Sequence, residues 1–218
     1  MLKIAITKGR IEKKFCELLQ NANYDIEPII NKNRKLMIKT KDDLEVVFAK
    51  PNDVLKFVNK GITDIGIIGK DTLLESEENN YYELFDLQTG KCKFCLAAFP
   101  SYKNETFDRN KRIATKYPEI AKKFFDQKKE NVEIVKLEGS VELGPVIGMT
   151  DAIVDIVETG NTLKENGLEV IEEICNISTR LIANKKSTRD KTNEIYNMID
   201  RFDEVIRNFE TEKKEVCI

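Results

Sequence analysis

Asp151 and Asp155 lie four residues apart on an apolar run, Asp151-Ala-Ile-Val-Asp155-Ile-Val-Glu158, that ends in Thr159-Gly160-Asn161-Thr162. Residues of these types in this order can hold a phosphorylated sugar. Carboxylates accept hydrogen bonds from ribose hydroxyls. Glycine lets the backbone come close to a phosphate, the threonine hydroxyls donate to it, and unpaired N–H groups at the start of a following helix face it. In open α/β sheets ligands sit at the carboxyl ends of strands, which is where this turn falls. The same residues also suit a plain strand–turn–helix joint, with Thr159 as helix cap and Asp155 as a solvated strand end. Taken alone, the segment leaves both readings open.

Three more glycine turns carry polar partners. Lys8-Gly9-Arg10 directly follows the apolar stretch 2–6. Two cations flanking a glycine suit a pyrophosphate or triphosphate, which arginine can bind through two parallel hydrogen bonds. Gly66-Ile-Ile-Gly69-Lys70-Asp71 ends an apolar run and is either an ordinary helix start, with glycine used for its conformation, or a ligand turn. Gly139-Ser140-Val141-Glu142 follows the run 132–137. Ser140 can cap a helix there, or the turn can present its amides to an anion.

Composition removes several chemistries. The 218-residue chain has no histidine, which excludes Ser-His-Asp and Cys-His hydrolysis and most catalytic zinc sites. An enzyme built from this chain works by positioning, carboxylates, backbone amides, Lys or Arg, and magnesium. The 36 basic and 38 acidic residues give a net charge of −2, so no basic stripe points to nucleic acid. No apolar run approaches the ~20 residues of a membrane helix. The stretch 1–6 is too short for a secretory signal, which leads to a cytoplasmic expectation. The five cysteines are odd in number and irregular in spacing, which argues against a disulfide framework. Cys92 and Cys95 read as two strand cysteines rather than a redox or zinc pair.

Short apolar runs alternate with helical stripes. Residues 2–6, 35–40, 44–49, 64–68, 95–99, 112–115, 132–137, 152–157 and 177–183 read as strands. Residues 35–49 read as a hairpin turning at 41–43. Pro51 and Pro118 sit well for the first turns of helices. Ile195, Met198, Ile199, Phe202, Val205, Ile206 and Phe209 form a long stripe, expected to pack on the body of the protein, with contact to another subunit as the alternative. The alternation predicts an α/β fold with mainly parallel sheets.

The four glycine turns, in this order with Arg112-Ile-Ala-Thr-Lys116-Tyr117-Pro118 among them, closely resemble the ATP phosphoribosyltransferase family. The most specific piece runs from Leu137-Glu-Gly-Ser-Val-Glu142 through Asp151-Ala-Ile-Val-Asp-Ile-Val-Glu-Thr-Gly-Asn-Thr-Leu163 to Asn166-Gly167. Gly90-Lys91-Cys92 matches as well. The resemblance extends from residue 1 to about 181 and implies a two-lobed periplasmic-binding-protein-like (type II) fold with a central cleft. Residues 1–90 and 178–218 would form the first lobe and residues 91–177 the second. The chain resembles the short form, without a C-terminal regulatory domain. That form is a homodimer within a hetero-oligomer with a regulatory subunit resembling a histidyl-tRNA synthetase.

The family reaction is the first step of histidine biosynthesis: N1 of ATP attacks C1 of phosphoribosyl pyrophosphate and pyrophosphate leaves. No strong general base is needed, in keeping with the missing histidine. The resemblance implies Lys8, Arg10, Asp151 and Asp155 as catalytic residues. Glu158, Thr159, Gly160, Asn161, Thr162, Gly139, Ser140 and Glu142 would bind phosphoribosyl pyrophosphate. Gly9, Lys50, Gly69, Asp71 and Lys116 would bind the nucleotide. Mg2+ would assist, with unknown ligands. Lys50 stands where the family commonly has Arg, and Leu55 where it commonly has Pro. Two rival readings are a solute-binding protein of the same fold and a purine- or pyrimidine-type phosphoribosyltransferase. The second usually places two adjacent acids before its Thr-Gly loop, whereas Ile156 and Val157 separate Asp155 from Glu158 here.

Overall fold

The computed structural model describes residues 1–215. Residues 216–218, with Cys217 and the end of the expected first lobe, lie outside the described residues. In chain order the elements run β1 (Leu2–Thr7), α1 (Arg10–Asn21), α2 (Glu27–Ile30), β2 (Met37–Lys39), β3 (Leu44–Ala49), α3 (Pro51–Asn59), β4 (Ile65–Gly69), α4 (Lys70–Leu74) and β5 (Tyr81–Asp86). Next come β6 (Cys92–Ala98), a 3-10 turn (Pro100–Asn104), β7 (Lys111–Thr115), α5 (Pro118–Lys128), β8 (Val132–Lys136), α6 (Leu143–Val146), β9 (Ala152–Val157) and α7 (Asn161–Glu165). The chain closes with β10 (Glu169–Ile177), β11 (Thr179–Asn184), α8 (Lys185–Asp190) and α9 (Thr192–Glu215).

These elements form two units. The first comprises Met1–Leu73, Glu77–Gly90 and the chain from Ser178 onward; the second comprises Leu74–Ser76 and Lys91–Ile177. Residues 74–76 were expected in the first lobe. They belong to the second unit because the Glu75 carboxylate accepts the N–H groups of Glu119 (3.1 Å) and Ile120 (3.2 Å) at the start of α5. Lys123 Nζ also donates to the Leu74 carbonyl at 3.3 Å.

The first unit holds a six-stranded sheet ordered β2-β3-β1-β4-β11-β5. β1 runs parallel to β3 and β4, while β2, β11 and β5 pair antiparallel to their neighbours. Strand alternation splits its apolar residues between two faces. Leu2, Ile4 and Ile6 face Phe15, Leu18 and Leu19 of α1 and Met198 and Phe202 of α9. Ala5 and Ala49 face Val54, Leu55 and Val58 of α3 on the other side. Phe15 and Phe202 meet edge to face at 5.6 Å, and burying a side chain of this size contributes roughly 1.5–3 kcal/mol. Ile195, Met198 and Phe202 are fully buried whereas Phe209 is exposed, so the α9 stripe packs on this unit over its first half.

The second unit holds a five-stranded sheet ordered β10-β6-β9-β7-β8. β7 runs parallel to β8 and β9, and β6 antiparallel to β9 and β10. One face packs on Ile120, Phe124 and Phe125 of α5. The other packs on Val141, Leu163 and Leu168. Both sheets are mixed, not mainly parallel as expected. The reason is two strands that the period-2 pattern does not reveal, β5 and β10, together with the antiparallel return of β11 and β6.

Candidate functional site

In the first unit three parallel neighbours, β3, β1 and β4, end on one edge of the sheet. Their register pairs Thr7 with Ala49 and Ile6 with Ile67. Lys8-Gly9-Arg10 leaves β1 there, Lys50 leaves β3, and Gly69-Lys70-Asp71 leaves β4. The Lys8 N–H donates to the Ala49 carbonyl at 3.0 Å, which fixes the turn. Gly9 caps α1 at φ 96°, a left-handed conformation that disfavours a side chain, and a Cβ there would meet nothing within 4 Å. Lys8, Gly9, Arg10 and Lys50 are exposed. Gly69 is glycine for a packing reason: a Cβ there would collide with the Asp71 carboxylate, which folds back over it. Lys70 pairs with Glu83. Sequence reading missed Thr7, whose hydroxyl is buried at this edge with no hydrogen-bond partner among the described residues. A threonine closing an apolar strand directly before Lys8 is the signal that could have found it.

The second unit repeats the arrangement. β8, β7 and β9 are parallel neighbours, with Thr115 paired to both Lys136 and Val154. Lys116, the 139–142 turn and the 158–162 turn therefore leave the sheet on one edge. Thr115, fully buried, ties the edge together: its hydroxyl donates to the Val154 carbonyl at 2.7 Å and accepts the Tyr117 N–H at 2.9 Å. Glu158, Thr159, Asn161 and Thr162 are exposed. Gly160 caps α7 at φ 76° with no side-chain cap. Thr159 Oγ1 accepts the Asn161 N–H only at 3.5 Å. The first N–H groups of a helix have no carbonyl one turn earlier, so this turn presents donors outward. Leu163, 5% exposed, anchors α7 to the apolar layer beneath. Gly139 and Ser140 are exposed beside buried Val141.

Asp155 sits inside β9 and is largely buried. Its carboxyl is pushed up to about 6, first by burial and then by the nearby charge of Glu142; the Ile156 N–H and Lys116 act in the opposite direction. The fold thus gathers Asp155, Glu142 and Lys116 from three separate segments. Among the described residues no three His, Cys, Asp or Glu side chains cluster to hold a metal by themselves. Glu142 and Asp155 offer two carboxylates, a donor set of the kind magnesium takes when it also carries substrate phosphates.

Asp151, expected as a second ribose ligand, has partners of its own. It lies immediately before β9, four residues and about 13 Å along the chain from Asp155. Its carboxylate is already occupied. Arg109 donates to both oxygens at 2.7 Å, the Arg112 backbone N–H adds a bond at 2.7 Å, and the Arg112 guanidinium a weaker one at 3.3 Å. These bonds, Arg109's foremost, hold it well below the usual carboxylate range.

The model of the HisG family, described as ATP phosphoribosyltransferase, matches residues 50–204. An ATP phosphoribosyltransferase of Lactococcus lactis subsp. cremoris is 52% identical over 208 residues, covering 95% of this chain and 100% of the relative. One from Clostridium botulinum is 51% identical over 209 residues, covering 94% and 98%. Among solved structures, the ATP phosphoribosyl transferase (HisG:HisZ) complex from Thermotoga maritima aligns at TM-score 0.80 and 35% identity, covering 95% of this chain and 100% of that one. The periplasmic aliphatic sulphonate binding protein SsuA from Escherichia coli aligns at TM-score 0.61 and 12% identity, covering 98% and 75%, a likeness of fold alone.

Proposed function

Because the chain belongs to the ATP phosphoribosyltransferase family, we propose a division of labour for its reaction in which the carboxyl edge of the second sheet grips phosphoribosyl pyrophosphate and that of the first sheet binds polyphosphate. The activity is transfer of phosphoribosyl to N1 of ATP. The N1 lone pair forms the bond to C1 of the ribose, the C1–O bond breaks, and its electron pair leaves with pyrophosphate. The reacting carbon passes through an oxocarbenium-like state, as in other glycosyl transfers.

The observation that carries the assignment is that Asp155 lies near the charges of Glu142 and Lys116, on the strand that runs into an exposed turn. In it, Glu158, Thr159, Gly160, Asn161 and Thr162 hold the 5-phosphate, with N–H groups and hydroxyls in place of water. Asp155 accepts a ribose hydroxyl. Gly139, Ser140 and Glu142 border the pyrophosphate end, and Lys116 supplies a cation. In the first unit Lys8, Gly9, Arg10 and Lys50 present positive charge and close backbone approach to polyphosphate, with Gly69 and Asp71 shaping the adjacent turn. Lys8 and Arg10 stabilise charge that develops on the departing pyrophosphate. Mg2+, when bound with the substrate, would neutralise phosphate charge, and Glu142 and Asp155 are the residues that would hold it. Alignment of two bound reactants supplies roughly 7–11 kcal/mol in favourable cases, which removes the need for a strong base.

The Thermotoga structure is a HisG:HisZ complex, and this chain likewise works in a hetero-oligomer with a HisZ-type regulatory subunit. We assign that subunit a histidyl-tRNA-synthetase-like fold and the catalytic chain a homodimeric arrangement. No helix among the described residues is long and apolar enough to cross a membrane; a cytoplasmic site of action is part of the proposal. The test mixes purified protein with ATP, phosphoribosyl pyrophosphate and magnesium, with and without the regulatory subunit, and follows phosphoribosyl-ATP by ultraviolet absorbance. Thr162→Ala should raise KM for phosphoribosyl pyrophosphate. An unchanged KM removes the turn from the site.

A further inference from the structure

We propose that Thr7 is a further substrate-binding residue of the first unit: its hydroxyl, together with the Asn52 N–H at the start of α3, takes a phosphate oxygen of a diphosphate group. This rests on the reading of the first sheet's carboxyl edge as the polyphosphate site.

The packing around Thr7 places it under a helix start. Alternation along β1 puts Thr7 on the same face as Ala5, and Ala5 packs with Val54, Leu55 and Val58 of α3. Thr7 is paired in register with Ala49 of β3, a member of the same apolar layer. Lys50 follows as the α3 N-cap, and Pro51 opens the helix. The helix lies close on the sheet, because a Cβ at Gly66 of β4 would come within 2.7 Å of the Val58 side chain. The last residue of β1 and the first turn of α3 are thus neighbours at one edge of the sheet.

Two observations at this edge point to an anion. The first is an unmet donor. Thr7 is 5% exposed, and its hydroxyl has no hydrogen-bond partner among the described residues. Such a group costs the fold stability unless something bonds it, so native proteins keep few of them. Rotation about the Cα–Cβ bond exchanges hydroxyl and methyl between staggered positions, which turns the donor toward a ligand without moving the backbone.

The second observation is the helix start itself. α3 is nine residues long and has no side-chain cap. The Lys50 carbonyl accepts the Asp53 and Val54 N–H groups, both at 3.0 Å. Pro51 has no N–H, and no carbonyl lies one turn before Asn52 within the helix, so the Asn52 N–H is left for a ligand or water. Lys8 and Lys50, both exposed, outnumber the one acid of that turn, Asp53. A phosphate oxygen accepts from hydroxyl, N–H and ammonium alike, and two linked phosphates give each cation an anionic partner.

The test uses the full-length protein, with inorganic pyrophosphate as the probe. Titration calorimetry compares wild type with Thr7→Val, which keeps the shape and removes the hydroxyl, and with Thr7→Ser, which keeps the hydroxyl. Thr7→Val should weaken pyrophosphate binding about tenfold, the loss expected when a charged acceptor is deprived of one donor. Thr7→Ser should stay within about twofold of wild type. Thr7→Val should also melt about 2–4 °C higher, since an unmet buried donor is gone. Steady-state kinetics then identifies the source of the diphosphate. A raised KM for ATP with that for phosphoribosyl pyrophosphate unchanged assigns it to ATP. A raised product-inhibition constant for pyrophosphate with KM for ATP unchanged assigns it to the leaving group. The proposal is overturned if Thr7→Val binds pyrophosphate normally, if Thr7→Ser binds as weakly as Thr7→Val, or if Thr7→Val melts below wild type. Failure of the underlying reading shows separately, as a Lys8→Ala protein that binds pyrophosphate normally.

Discussion

Asp151 stands just before β9 and Asp155 four residues on, inside it, and their surroundings drive them in opposite directions. Asp151 accepts two bonds from Arg109 and one from the Arg112 backbone, and its carboxyl is held well below the usual range. Asp155 sits buried beside another acid, and its carboxyl is pushed up to about 6. A carboxylate whose bonds are satisfied within the chain stabilises the fold and has nothing left for a ligand. One held in an uncomfortable place costs the fold stability and remains available. The contrast separates two acids that residue type and spacing treat alike.

The largest test of that contrast is removal of Asp155. Asp155→Ala should cut turnover at least about tenfold, corresponding to about 1.4 kcal/mol of transition-state stabilisation, while Asp151→Asn should keep near-normal turnover when assayed at low temperature. Steady-state kinetics on both proteins decides it. Equal losses would mean that Asp151 also serves catalysis.

Gly160→Ala comes next. At φ 76° a side chain strains the backbone by roughly 1 kcal/mol, so KM for phosphoribosyl pyrophosphate should rise about fivefold. A normal KM would place the phosphate elsewhere.

Stability against pH sharpens the comparison further, because the signs differ. Asp155 is raised in the folded state, so its contribution is most favourable below the ordinary carboxylate value and is lost as pH climbs through about 6. Asp155→Asn should therefore melt above the wild type at pH 8, with the gap closing on acidification. Asp151 is lowered, so its contribution is present above the ordinary value and lost as pH falls below it. Asp151→Asn should melt several degrees lower at neutral pH and converge with wild type in acid. Calorimetry across pH reads both, and parallel curves would break the distinction.

The smallest expected effect is on binding. Affinity for phosphoribosyl pyrophosphate should improve modestly as pH rises through about 6, since only the carboxylate accepts from a ribose hydroxyl without competing as a donor. Asp155→Asn should remove that component of the profile, and titration calorimetry would show whether it persists.

Much of this was legible in the chain. The runs that became β1, β3, β4, β7, β8 and β9, and the glycine turns that follow β1, β4, β8 and β9, depend on local rules: alternation, and the conformational freedom of Gly9 and Gly160. β10 was not legible. Register shifts between Val170 and Glu172 and between Glu173 and Cys175 scramble its alternation, as bulges do, and so the antiparallel edge of the second sheet went unseen.

What the sequence determined by itself was the set of strand–turn–helix joints and the residue types placed on them, because those follow from interactions between near neighbours in the chain. Only the tertiary structure decided which acid is partnered by arginines and which is buried beside another acid. Arg109 reaches Asp151 across 42 residues of chain, and Lys116 and Glu142 come to Asp155 from two other segments. A carboxylate's charge state is fixed by what lies within a few ångströms in space, and the order of residues along the chain does not specify that.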